Sequence, residues 1–169
     1  MLSKKMEGAL NEQINAELYS AYIYLSMSAY FLSVDLKGFG NWMNSQAQEE
    51  VAHAMKMYNF ILDRGGNVKL AAIDGPPVKW DSPLAVFEAA YKHEQHVTSL
   101  IHALVGLAIE EKDYATKNLM EWFVDEQVEE EASASEIVEQ LKLIGGEGQG
   151  LLMLDREMGQ RKFDPAAEG

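Results

Sequence analysis

The chain of 169 residues contains no cysteine, which excludes a disulfide framework, a thiolate zinc site and an iron–sulfur cluster. It also lacks any run approaching the ~20 consecutive apolar residues that a membrane span needs. The first residues, Met1-Leu2-Ser3-Lys4-Lys5-Met6-Glu7, turn amphipathic at once and lack the apolar segment of a signal peptide. A cytoplasmic location is the expectation. Basic residues are few: 14 Lys and Arg stand against 27 Asp and Glu, a formal net charge of −13. That balance repels nucleic acid phosphates and attracts cations, although solubility alone also accounts for it. What the chain does have is a 47% hydrophobic content, enough for one domain with a real core.

Apolar residues recur at spacings of three and four through nearly the whole sequence, the signature of amphipathic helices. The breakers predict a helix over about 4–33, a turn around Val34–Gly38, and a second helix over about 39–64 ending at Gly65-Gly66. A non-helical stretch from Asn67 to Asp81 follows, with Gly75-Pro76-Pro77 inside it. Ser82-Pro83 reads as an N-cap with proline at the first helical position of a third helix reaching about Ile109. Asp113 is a plausible cap for the fourth helix, which Gly145-Gly146 stops near Ile144. A short fifth helix is expected over about 149–160. A helix of about 28 residues is about 42 Å long. Short connections make two antiparallel hairpins, and about 15 extended residues between them span up to roughly 50 Å, enough to run back along the bundle. The expected fold is all-α: one domain over 1–169, its four-helix bundle about 4–144, with one long crossover and a short C-terminal helix.

Each helix threads on a seam that is apolar at both ends and polar in the middle. The polar centres are Glu17, then Glu50 and His53, then Glu94, then Gln127 and Glu130. Counted from the two hairpin turns, these six residues lie at one level of the bundle. The halves also repeat, because an offset of 77 residues carries Glu17, Glu50 and His53 onto Glu94, Gln127 and Glu130. Four carboxylates in an apolar interior would cost many kcal/mol unpaired, and no Lys or Arg occupies the mid-bundle seam to neutralise them. A buried polar network would be the alternative, yet such carboxylates call for protons or metal cations. Four carboxylates and one imidazole are a hard O/N set suited to iron or manganese, with charge to balance two divalent ions about 3.5–4 Å apart.

At these residues the chain resembles the prokaryotic non-haem ferritins. The units Glu50-Val51-Ala52-His53 and Gln127-Val128-Glu129-Glu130, with Glu17 and Glu94, look like their ferroxidase centre, and the likeness covers essentially the whole chain. It implies a ferritin-like bundle that oxidises Fe(II) with O2 or peroxide and stores ferric oxyhydroxide in a hollow homo-oligomeric shell, commonly of 24 subunits. By position, Glu17, Glu50 and His53 would hold one iron with Glu50 bridging. Glu94 and Glu130 would complete the second, with Gln127 beside it. Tyr24, two turns from Glu17, matches a tyrosine beside the irons that donates an electron or a hydrogen bond; a core phenol with a satisfied hydroxyl is the other reading. Glu49, Glu126 and Glu129 match a third iron site that shares Glu130, whereas a solvated acidic face explains them without metal.

Departures from neighbouring families narrow the resemblance. Bacterioferritins repeat Glu-x-x-His in the fourth helix and carry a haem-ligating methionine where Val51 stands, so no haem is expected. Small DNA-protecting shells place their irons between subunits, and the charge of −13 argues against a nucleic acid partner. Lys117 and Met120 replace the two acidic residues of the animal-type entry channel. His93, His96 and His102 read as core or surface residues, and the nine methionines as core filler. The apolar run Leu151-Leu152-Met153-Leu154 must pack on something; the resemblance implies copies of itself, and folding back on its own bundle is the alternative. Two rival readings stay open: another di-metal enzyme on this bundle, such as a peroxidase or manganese catalase, and a metal-free helical interaction module.

Overall fold

The computed structural model describes residues 2–145 and 147–166, so Gly146, the second glycine of the expected helix stop, lies outside it. Five helices follow one another: α1 Lys4–Ser33, α2 Lys37–Asp63, α3 Pro83–Glu110, α4 Tyr114–Ile144 and α5 Gly148–Met158. Among the described residues there is no strand.

The starts are set by side chains that accept the free N–H groups of the first turn. Ser3 accepts from Met6 N, Ser82 from Ala85 N with Pro83 behind it, and Asp113 from Thr116 N. The ends rely on backbone that turns left-handed, at Gly65 with φ 70° after α2 and at Gly145 with φ 71° after α4. Arg64 then ties two ends together, its guanidinium donating to both carboxylate oxygens of the α4 cap Asp113 at 3.0 and 3.3 Å.

The fifth helix ends at Met158, two residues before the sequence expectation, and the start of α2 differs from it by as much. Gly38 reads as a breaker, yet α2 begins at Lys37 and runs through it. The reason is tertiary. A Cβ on Gly38 would lie 1.5 Å from the backbone oxygen of Asp155, so the missing side chain is what lets α5 lie against the start of α2.

Helix directions follow from the contacts. The hairpin turn makes α1 and α2 antiparallel, and α3 and α4 likewise. Ser3 reaches Glu111 and Ser20 reaches His93, so α1 also runs opposite to α3. Hence α2 and α3 are parallel, and the chain must return the full length of the bundle between them. It does so along α1. Asn11 donates to Asn67 O at 3.0 Å and accepts from Lys69 N at 2.6 Å, Asn15 donates to Ala72 O at 3.1 Å, and Ser26 donates to Pro77 O.

Two apolar clusters fill the interior. One is centred on Phe31, Phe39, Trp42 and Phe87, the other on Met6, Leu10, Met57 and Phe123. Between them the seams carry the polar layer. The fifth helix closes one end: Leu154 is buried, with Leu151 and Met158 partly so, against the first cluster. Its other apolar residues, Leu152 at 56% and Met153 at 70% exposure, face outward.

Candidate metal centre

The middle of each helix contributes its polar seam residue to one buried level. Glu17, Glu50, His53, Glu94, Gln127 and Glu130 are all buried, each 7% exposed or less. Glu17 from α1 and Glu50 and His53 from α2 converge most tightly: one ligand atom of each lies within 4.8 Å of the other two. Among the described residues no other group of three acidic or imidazole side chains meets that closely.

The remaining members are fixed by hydrogen bonds to one another and to neighbouring side chains. Tyr24 OH donates to Glu94 Oε1, while Gln127 Nε2 donates to Glu94 Oε2 and to Thr98 Oγ1, both at 3.2 Å. Gln13 Nε2 donates to Glu17 Oε1 at 2.9 Å, and Gln46 Nε2 donates to Glu130 Oε2 at 2.7 Å. Sequence reasoning passed over Gln13 and Gln46 as site residues. Each sits four residues before a ligand candidate on its own helix or at the next seam step before Glu50, which is the available signal. The His53 ring stacks edge-on against Trp122 and Phe123, with centroids 5.4 and 5.8 Å away, which fixes its orientation.

Electrostatics mark the layer as unusual. Burial drives the Glu50 carboxyl well above the usual range; Glu94 and Glu17 push the same way, against the neighbouring His53 ring. Burial likewise lifts Glu94 to about 7, despite the hydrogen bonds from Tyr24 and Gln127. Glu130 rises to about 8 through burial and the neighbouring charge of Glu94. The Tyr24 phenol is also raised, by burial first and by Glu94 next. Glu50 Oε2 accepts no hydrogen bond among the described residues and lies 3.6 Å from His53 Nδ1. A buried carboxylate oxygen left so is poised for a cation. The donor set fits iron: oxygen-rich, with one imidazole and no thiolate.

The three outer acidic residues are arranged differently. Glu49 is partly buried and accepts from Arg161 Nη2 at 2.5 Å. Glu126 is partly buried and Glu129 exposed on the α4 face next to Glu130. His93 is partly buried and contacts Ser20 Oγ at 2.8 Å, its value lowered to about 4 chiefly by burial. Arg161 escaped the sequence reading because it follows the last helix, where no periodicity assigns a face.

A bundle of two antiparallel hairpins joined by one long crossover, with glutamates and a Glu-x-x-His unit meeting mid-core, defines the ferritin-like class of carboxylate-bearing bundles. The family model of a ferritin-like domain matches residues 7–144. Bacterial non-heme ferritins from Bacteroides fragilis and Staphylococcus aureus are 47% and 40% identical over 161 and 164 residues. The matches cover 95% and 97% of this chain, and 100% and 99% of theirs. An open-pore ferritin from the hyperthermophilic archaeon Archaeoglobus fulgidus superimposes with a TM-score of 0.95 at 59% identity, covering 96% of this chain and all of that one. The chain belongs to the ferritin family.

Proposed function

We propose that this iron-storage ferritin oxidises Fe(II) at the mid-bundle layer and passes the ferric product to a mineral held inside a homo-oligomeric shell of 24 subunits. The observation that carries the reading is the buried convergence of Glu17, Glu50 and His53, with two further buried carboxyls, Glu94 and Glu130, whose ionisation burial opposes. In this reading Glu17, Glu50 and His53 take one ferrous ion. Glu94 and Glu130 take the second, Gln127 orients Glu94, and Glu50 is shared. The ligands must be deprotonated to bind, so Glu94 and Glu130 release protons as iron enters. Two Fe(II) supply one electron each; with two protons these reduce O2 to hydrogen peroxide, or peroxide to water. Anionic oxygen ligands favour the ferric state and drive the reaction forward. Tyr24 supports it by donating its hydroxyl hydrogen to Glu94. Glu49, Glu126 and Glu129, with Glu130, form an auxiliary iron position on the way out, and haem has no part in the cycle.

Replacing Glu50 or His53 by Ala tests the assignment. Both variants are expected to assemble normally by light scattering and to lose rapid Fe(II) oxidation. Unchanged initial rates in both would overturn it. Iron per subunit far above two or three separates a store from a peroxidase or catalase on the same bundle.

A further inference from the structure

The acidic layer has a cation of its own, and it comes from outside the bundle. Arg161 lies beyond the end of α5, yet its guanidinium returns to Glu49, with Nη2 to Oε2 at 2.5 Å. It is held there on two other sides. Its guanidinium carbon sits 4.5 Å from the centre of the Trp42 ring, and its backbone oxygen accepts from Asn41 Nδ2 at 2.8 Å. Side-chain exposure is only 25% for Arg161 and 13% for Glu49, so the contact is a seated pair rather than a passing one.

We propose that Arg161 is a tethered counter-ion for the auxiliary position: it neutralises Glu49, and it swings away when a metal ion comes to that carboxylate. The proposal rests on the reading of Glu49, Glu126 and Glu129 as a metal position and adds what regulates it. A single positive charge on one carboxylate holds it less firmly than a divalent ion shared among several. Displacement is cheap in structure as well. Arg161 follows the cap of α5 at Gly159, so its side chain can leave without unwinding a helix. Arg161 is therefore a positioning residue whose charge sets how readily the third ion binds after the two in the core.

Zn(II), which undergoes no oxidation, is the probe for calorimetric titration of the assembled protein. The wild type is expected to take two ions per chain tightly and a third weakly. Arg161→Gln should tighten the third step by about fivefold, the upper end for a largely screened ion pair, and leave the first two alone. Arg161→Lys, which keeps the charge, should follow the wild type. A second measurement needs no change at Arg161. Its departure from the Trp42 ring should alter tryptophan emission at the third equivalent, and Trp42→Phe should remove that change. A third step equal in wild type and Arg161→Gln, or an emission change at the third equivalent that Trp42→Phe leaves undiminished, overturns the counter-ion role while the metal positions stand. Failure of the wild type to take the first two ions instead overturns the reading of the centre, and this inference with it.

Discussion

Burial sets the behaviour of Glu94 and Glu130, and with it the response of the metal-free protein to pH. Both carboxyls titrate higher in the folded chain, at about 7 and about 8, than the value of 4.5 they start from. A group raised in this way contributes stability fully below its unfolded value and loses it as pH climbs through the folded one. The melting temperature of the metal-free protein should therefore begin to fall above about pH 4.5 and continue to fall through about pH 8. Zn(II) should remove the decline by taking the protons' place. A flat profile without metal would mean that these carboxyls ionise without penalty. Tyr24→Phe should move the same chemistry in a known direction. The phenol favours ionised Glu94, so its loss raises that group further, and the pH profile of Fe(II) oxidation should shift upward. An unshifted profile would leave Tyr24 a packing residue only. The six central residues were legible in the sequence because seam spacing and the repeated offset of 77 depend on helix geometry alone. Gln13, Gln46 and Arg161 were not: two are polar residues with no charge to place, and the third depends on where a tail folds back.

Helices with similar sequence signals differ in how firmly they are tied. Glycine weakens a helix interior by up to about 1 kcal/mol relative to alanine when nothing else is at stake. At Gly106, inside α3, an added Cβ would meet nothing within 4 Å. Gly106→Ala should raise stability by about 0.5–1 kcal/mol in chemical denaturation. Gly38→Ala, also inside a helix, should do the reverse, because the new Cβ meets the Asp155 carbonyl. The element that yields is α5, held at that end by Phe39 N donating to Asp155 Oδ1 at 3.0 Å. Faster tryptic cleavage at Arg156 would report its release, and equal cleavage in wild type and variant would refute it. Helix α5 shows why element position is harder to read than element identity. Its apolar run announces a helix that must pack, and the structure divides it, with Leu154 inward and Leu152 and Met153 outward. The outward pair is the surface available to other subunits. Cutting the chain after residue 146 should remove both contacts and shrink the assembly seen by light scattering; a shell of unchanged size would show that α5 does not hold it together.

At the scale of the molecule, the bundle's two apolar clusters never merge. One holds Phe31, Phe39 and Phe87 at the α5 end; the other holds Met6, Met57 and Phe123 at the far end, and the carboxylate layer lies between. An uninterrupted core would melt as one unit. Here the two halves communicate across a stratum whose carboxyls resist ionising together, so ions bound there would act as a splint. Without metal, calorimetry should record a broadened endotherm whose van't Hoff enthalpy falls below the calorimetric one, as each half loosens partly on its own. Loading Zn(II) should merge the halves into one sharp, later transition, and the gain in cooperativity should vanish in His53→Ala. The cargo this protein collects would then also be what makes its two ends unfold together.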